Sequence, residues 1–115
     1  VSGVHQNYKN KVLKANDIAT MSTGKRLGHP VRSIKNPYTK EYFKLEYSNI
    51  SDEELEAYGR GSLYRAAVEG DEKTGCFLAG QIAGMVNKEQ TAKEIIEEIF
   101  TQAEDVLKGA TKWVK

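Results

Sequence analysis

"GCFLAGQIAGMV", residues 75–86, is the stretch on which the reading of this chain turns. It is apolar and carries no charge, yet Gly75, Ala79, Gly80, Ala83 and Gly84 leave it almost without side-chain bulk. The spacing predicts a helix here. Gly80-x-x-x-Gly84, flanked by Ala79 and Ala83, admits close approach by a second backbone or by a flat ligand. Tight packing against another helix explains the same small residues without any ligand. Gln81 sharpens the question, because an amide buried in such a helix needs partners at both its ends. It either binds backbone or reads the polar edge of a ligand.

Outward from this stretch the periodicities are clearer. Glu89–Lys108 reads as a long amphipathic helix, with Ile95, Ile96, Ile99, Phe100, Ala103, Val106 and Leu107 on one stripe. Glu94, Glu97, Glu98, Glu104 and Asp105 take the wet side. Upstream, Ser51-x-x-Glu54 is a capping box that predicts a helix from Ser51 to about Val68, ending at Gly70, with Gly59 and Gly61 weakening its middle. His5–Ala15 reads as a short helix with a basic outer side, and Asp17–Thr23 and Val31–Lys35 as two strands around a Gly24–Pro30 loop. Asn36-Pro37 breaks the second strand. Tyr38–Asn49 fits helical and strand periods alike. The pattern is α+β and mostly helical.

The totals narrow the classes. A chain of 115 residues builds one domain with a modest core. The lone Cys76 excludes an internal disulfide framework and a cysteine-built zinc site, and it suits the reducing cytoplasm. The apolar run falls well short of the ~20 residues of a membrane span, and no secretory leader is visible. Val1 stands where an initiator methionine would, so the chain reads as part of something longer. The net charge of +1 hides an asymmetry: residues 1–50 hold nine Lys/Arg against three Asp/Glu, and residues 51–115 hold eight against thirteen. A basic half attracts phosphates or an acidic protein. No basic stripe with interleaved aromatics points to nucleic acid.

Few side chains are placed for chemistry. His5 and His29 have no neighbours at triad or metal spacing, so neither a catalytic residue nor a metal site is expected. Ser22-Thr23-Gly24-Lys25 lacks the glycine and the hydroxyl of a P-loop. The basic loop from Lys25 through Arg26 to Arg32 is the best candidate for an anion contact.

Residues 59–71, "GRGSLYRAAVEGD", followed by 75–96, "GCFLAGQIAGMVNKEQTAKEII", resemble the C-terminal region of the flavin-dependent enoyl-acyl-carrier-protein reductase II family. Residues 5–37, "HQNYKNKVLKANDIATMSTGKRLGHPVRSIKNP", resemble the segment after the last barrel strand of that family. The resemblance implies a (β/α)8 TIM-barrel flavoprotein whose barrel lies outside this chain. Residues 1–75 would be a small α+β domain following the last barrel strand. Residues 76–115 would be an active-site-lining segment and a C-terminal helix packed on the barrel. The complete enzyme would use FMN and NADH or NADPH to reduce the trans-2 double bond of an enoyl thioester on acyl carrier protein. The partners implied are that thioester and the barrel, and the resemblance allows a homodimer.

Under it Cys76, Phe77, Leu78, Ala79, Gly80 and Gln81 would line the cleft over the flavin. Lys25, Arg26 and Arg32 would meet nucleotide phosphates or the acidic carrier. Two positions depart from the family, which commonly has Ser at position 76 and Met at position 78. Nitronate monooxygenases share "AGQ" at 79–81 and "GHPVRSIKN" at 28–36 and give a second reading. A cofactor-free helical interaction domain, binding through the Ile95–Leu107 stripe, gives a third.

Overall fold

The fold was analysed as a computed structural model describing residues 2–114. It is mostly helical around one small antiparallel sheet, with no closed barrel among the described residues. Helix α1, Gln6–Lys14, opens the chain, with the His5 ring accepting from the Asn7 amide. Strands β1, Thr20–Thr23, and β2, Val31–Ile34, pair with Thr20 opposite Ile34 and Thr23 opposite Val31. The first strand is shorter than its β-branched run predicted. Asn16 Oδ1 accepts from Ile18 N, and this turn consumes the residues before Thr20.

Tyr38–Asn49 resolves as helix α2, Pro37–Glu46. The Asn36-Pro37 pair that ends the strand also begins the helix. Asn36 Oδ1 accepts from Thr39 N, the Thr39 hydroxyl receives the Asn36 N–H, and Pro37 occupies the first turn, where no amide is needed. This frame buries Tyr38 and Tyr42 one turn apart.

The long helix expected from Ser51 is interrupted. Its capping box forms as read, but α3 spans only Asp52–Gly59. Gly61 then adopts φ +75°, the left-handed region that ends helices. The chain restarts as α4, Ser62–Tyr64, and widens into a π-turn, Arg65–Glu69, before Gly70 at φ +63°. The closing helix α5, Ala92–Ala110, starts three residues later than its periodicity suggested. Thr91 caps it, with Glu94 reaching back to the Thr91 amide.

Two small apolar clusters form the core. Tyr38, Tyr42, Leu55 and Cys76 pack together with Leu27, Leu45 and Ile50. Ile34, Ala66 and Phe77 pack with Tyr8, Val12 and Ala79. Residues 76–77 join the two. Helix α5 contributes nothing to either: none of its residues is buried, and Ile96, Ile99, Phe100, Val106 and Leu107 are all exposed. Nineteen residues make a helix of about 28 Å, and the 62 × 33 × 19 Å dimensions reflect its projection from the body. The linker before it is held by ion pairs, Lys9–Glu89 at 2.9 Å to α1 and Lys88–Glu98 at 2.8 Å to α5 itself. No described helix is long and apolar enough to cross a membrane.

Candidate functional site

The segment quoted first is not a helix. Residues 75–80 run extended beside β2 as a third, strand-like piece. Ile34 N donates to the Phe77 carbonyl at 2.8 Å, Ala79 N donates to the Arg32 carbonyl at 3.2 Å, and Ser33 pairs with Leu78. Only then does the chain coil, as a 3-10 turn over Gln81–Met85. The extended backbone alternates its side chains across the pleat. Phe77 is fully buried, whereas Leu78 faces outward. The Tyr8 hydroxyl donates to the Leu78 carbonyl at 2.6 Å and fixes this edge against α1.

The small residues separate into two kinds. A Cβ on Gly75 would stand 2.8 Å from Ala66 Cα and 2.6 Å from the Asp71 carbonyl oxygen, so this glycine lets the π-turn backbone press close. A Cβ on Gly84 would stand 2.6 Å from the Asn16 carbonyl carbon, which seats the 3-10 turn on the chain after α1. A Cβ on Gly80 would meet nothing. Close backbone approach therefore accounts for Gly75 and Gly84 but not for Gly80. Gln81 is also not the buried amide that a helix required. It is exposed, and its side chain has no hydrogen-bond partner among the described residues.

Of the six residues placed on the cleft by resemblance, Cys76 and Phe77 point into the core. Leu78, Gly80 and Gln81 are exposed, and Ala79 is half-buried. Ile82 and Met85, 66% and 77% exposed, extend the same surface. The sequence pattern gave no reason to single them out, because a helical frame distributes residues 78–85 around an axis. Burial pushes the Cys76 thiol above its ordinary pKa. The neighbouring Ser33 hydroxyl opposes this only weakly, since Ser33 Oγ has no partner at hydrogen-bond distance. Cys76 should therefore resist a disulfide exchange reagent at pH 8 and react stoichiometrically once urea unfolds the chain. Rapid labelling of the folded protein would contradict its inward placement. Burial likewise pushes the Tyr38 phenol up to about 12.

The basic loop also divides. Arg26 is committed within the chain: its Nε donates to Asp52 at 2.8 Å, and its terminal nitrogens donate to the Ser48 carbonyl at 3.2 Å and the Ile50 carbonyl at 2.5 Å. Its backbone N–H holds the buried Glu46 carboxylate at 2.9 Å. Arg26 thus ties the hairpin to the α2–α3 connection and has little donor capacity left for an outside anion. Arg32 donates to the Thr20 hydroxyl at 3.2 Å, and Lys25 is exposed. His5 and His29 are exposed whereas Cys76 is buried, and no group of three metal-ligating side chains converges among the described residues.

No family model and no curated protein matches the chain. Solved structures do. FabK from Thermotoga maritima superposes with a TM-score of 0.89 at 35% identity, over 96% of this chain and 35% of that one. A point mutant of the same FabK gives a TM-score of 0.78 at 32% identity, over 98% of this chain and 33% of the other. The chain thus spans about a third of the length of these relatives. Sequence and fold agree along nearly the whole chain, which is a FabK-like segment.

Proposed function

We propose that this chain is the cleft wall and buttress of an enoyl-acyl-carrier-protein reductase, the rest of which is a (β/α)8 barrel in the same polypeptide. One observation carries the reading: a FabK structure matches at 35% identity over 96% of the chain, with a TM-score of 0.89. The complete protein would take electrons from NADH or NADPH and reduce the double bond of an enoyl thioester borne by acyl carrier protein. FMN, when bound, supplies the hydride relay between nicotinamide and double bond.

The outward surface of residues 78–85 fits a role beside such a flat group. Space over Gly80 admits a planar ring. Exposed Leu78, Ile82 and Met85 provide an apolar wall that excludes water from a thin acyl chain. Gln81 offers an amide with both ends free to bind a polar ligand edge. Cys76 and Phe77 act behind this wall by holding the strand in place, and Lys25 and Arg32 remain the loop residues open to an anion. The chain contributes no general acid, base or nucleophile, and alone it is expected to be inactive. The bare stripe of α5 supports a helix that docks on the barrel.

The full-length protein is expected to purify yellow and to oxidise NADH or NADPH only when a crotonyl thioester is added. Consumption of oxygen with an alkyl nitronate, without thioester-dependent turnover, would replace this reading with a nitronate monooxygenase. A colourless protein inert to both would sink the flavoenzyme assignment.

A further inference from the structure

A second cleft lies away from the surface of residues 78–85. It is a hollow of about 400 Å³ between the C-terminal half of α1, the turn at residues 15–19 and the end of β2. This is within the range of small-molecule sites. Three lysines from separate parts of the chain line it, Lys11 and Lys14 on α1 and Lys35 after β2, against one carboxylate, Glu72. Lys11 and Lys14 complement the negative end of the α1 dipole, which accounts for two cations but not for Lys35.

Two of the three ammonium groups are held in position. Lys11 Nζ stands 3.5 Å from Glu72 and 5.3 Å from the centre of the Phe77 ring. Lys35 Nζ donates to the Ile18 carbonyl at 2.7 Å. Each ammonium has three donors, so both keep capacity for a ligand. The two amides in the wall are spent in one sense only. Asn10 Oδ1 accepts from Gln6, and Asn16 Oδ1 accepts from Ile18 N. What each still offers is its NH2. Glu72 and one lone pair on each amide oxygen apart, the unspent side-chain hydrogen-bonding capacity of this cleft consists of donors, while Ile18 and Ile34 give it an apolar side. Donors in excess of acceptors, carrying excess positive charge, complement a group that is anionic and only accepts.

We propose that this cleft binds the phosphate of an organic phosphate ester. The cleft chemistry stands by itself; only the source of the phosphate rests on the reductase reading, which supplies two: the nicotinamide dinucleotide and the phosphopantetheine arm of the carrier.

Titration calorimetry of the full-length protein with inorganic pyrophosphate at constant ionic strength tests it directly. Saturable binding is expected, weakened about tenfold or more by K14E/K35E, since the change replaces two cationic donors with carboxylates. Should the double variant unfold, K14E alone serves, because the Lys14 side chain makes no hydrogen bond or ion pair among the described residues. No saturable heat, or equal binding by the folded variants, would overturn the proposal. Adenosine bisphosphate and phosphopantetheine, titrated in parallel, separate the sources: the tighter ligand identifies the donor. Pyrophosphate binding that persists in a protein without thioester-dependent turnover would count against the reductase reading and leave the phosphate site standing.

Discussion

Phe77→Ala is expected to destabilise the protein by about 3–5 kcal/mol, the range for removing a buried aromatic ring from a core. Phe77 is fully buried, its ring is centred 5.0 Å from that of Tyr8, and its carbonyl accepts from Ile34 N. It belongs to the cluster of Ile34 and Ala66 and follows Cys76 of the other cluster, so its loss loosens the seam between them. Single domains have only about 5–15 kcal/mol in total. The change therefore threatens folding itself at 37 °C. Urea denaturation followed by circular dichroism measures it, and Phe77→Leu, which fills part of the hole, should recover more than half of the loss. An unfolding free energy for Phe77→Ala within about 1 kcal/mol of the parent would show that Phe77 is not a core residue.

Asn36→Ala should cost about 3 kcal/mol, more than any surface substitution. One side chain does three things here. Its carbonyl caps α2 at Thr39 N, and its NH2 donates to the Glu72 carbonyl at 3.1 Å and the Gly75 carbonyl at 2.7 Å. Loss of a cap costs about 1 kcal/mol, and a buried carbonyl left without its donor costs about 1–3 kcal/mol. Asn36→Ser separates the two contributions, because a hydroxyl restores the cap but cannot span to residues 72–75. Ser is expected to recover about 1 kcal/mol relative to Ala. If Ser recovers everything, the bonds to residues 72 and 75 contribute nothing and this account of the loop is wrong.

These two residues also show what a sequence can and cannot reveal. Local devices were legible. The capping box at Ser51 formed where it was read, the Gly24–Pro30 loop joined two strands, and the closing helix followed its apolar stripe. What failed depended on distant partners. Residues 75–80 are extended because β2, over forty positions upstream, offers free hydrogen-bonding groups and Tyr8 reaches the Leu78 carbonyl. No local period encodes that, and small residues suit a helix seam and a packed strand edge equally well. The helix after Ser51 divided because Gly61 takes a left-handed conformation, whereas propensity alone marks Gly61 only as a weak position. The helical frame left Ile82 and Met85 unnoticed, whereas the cleft position given to Phe77 came from the family resemblance and not from any local period. Arg26 was legible as a cation but not as one already engaged by Asp52 and three carbonyl oxygens.

The open space over Gly80 has a practical corollary. Its backbone is ordinary extended chain, φ −74° and ψ 173°, so any side chain can be installed there without strain. The sole native thiol is hidden in the interior. A fluorophore attached through Gly80→Cys would thus report from one address, and its emission should change when a molecule settles against that wall.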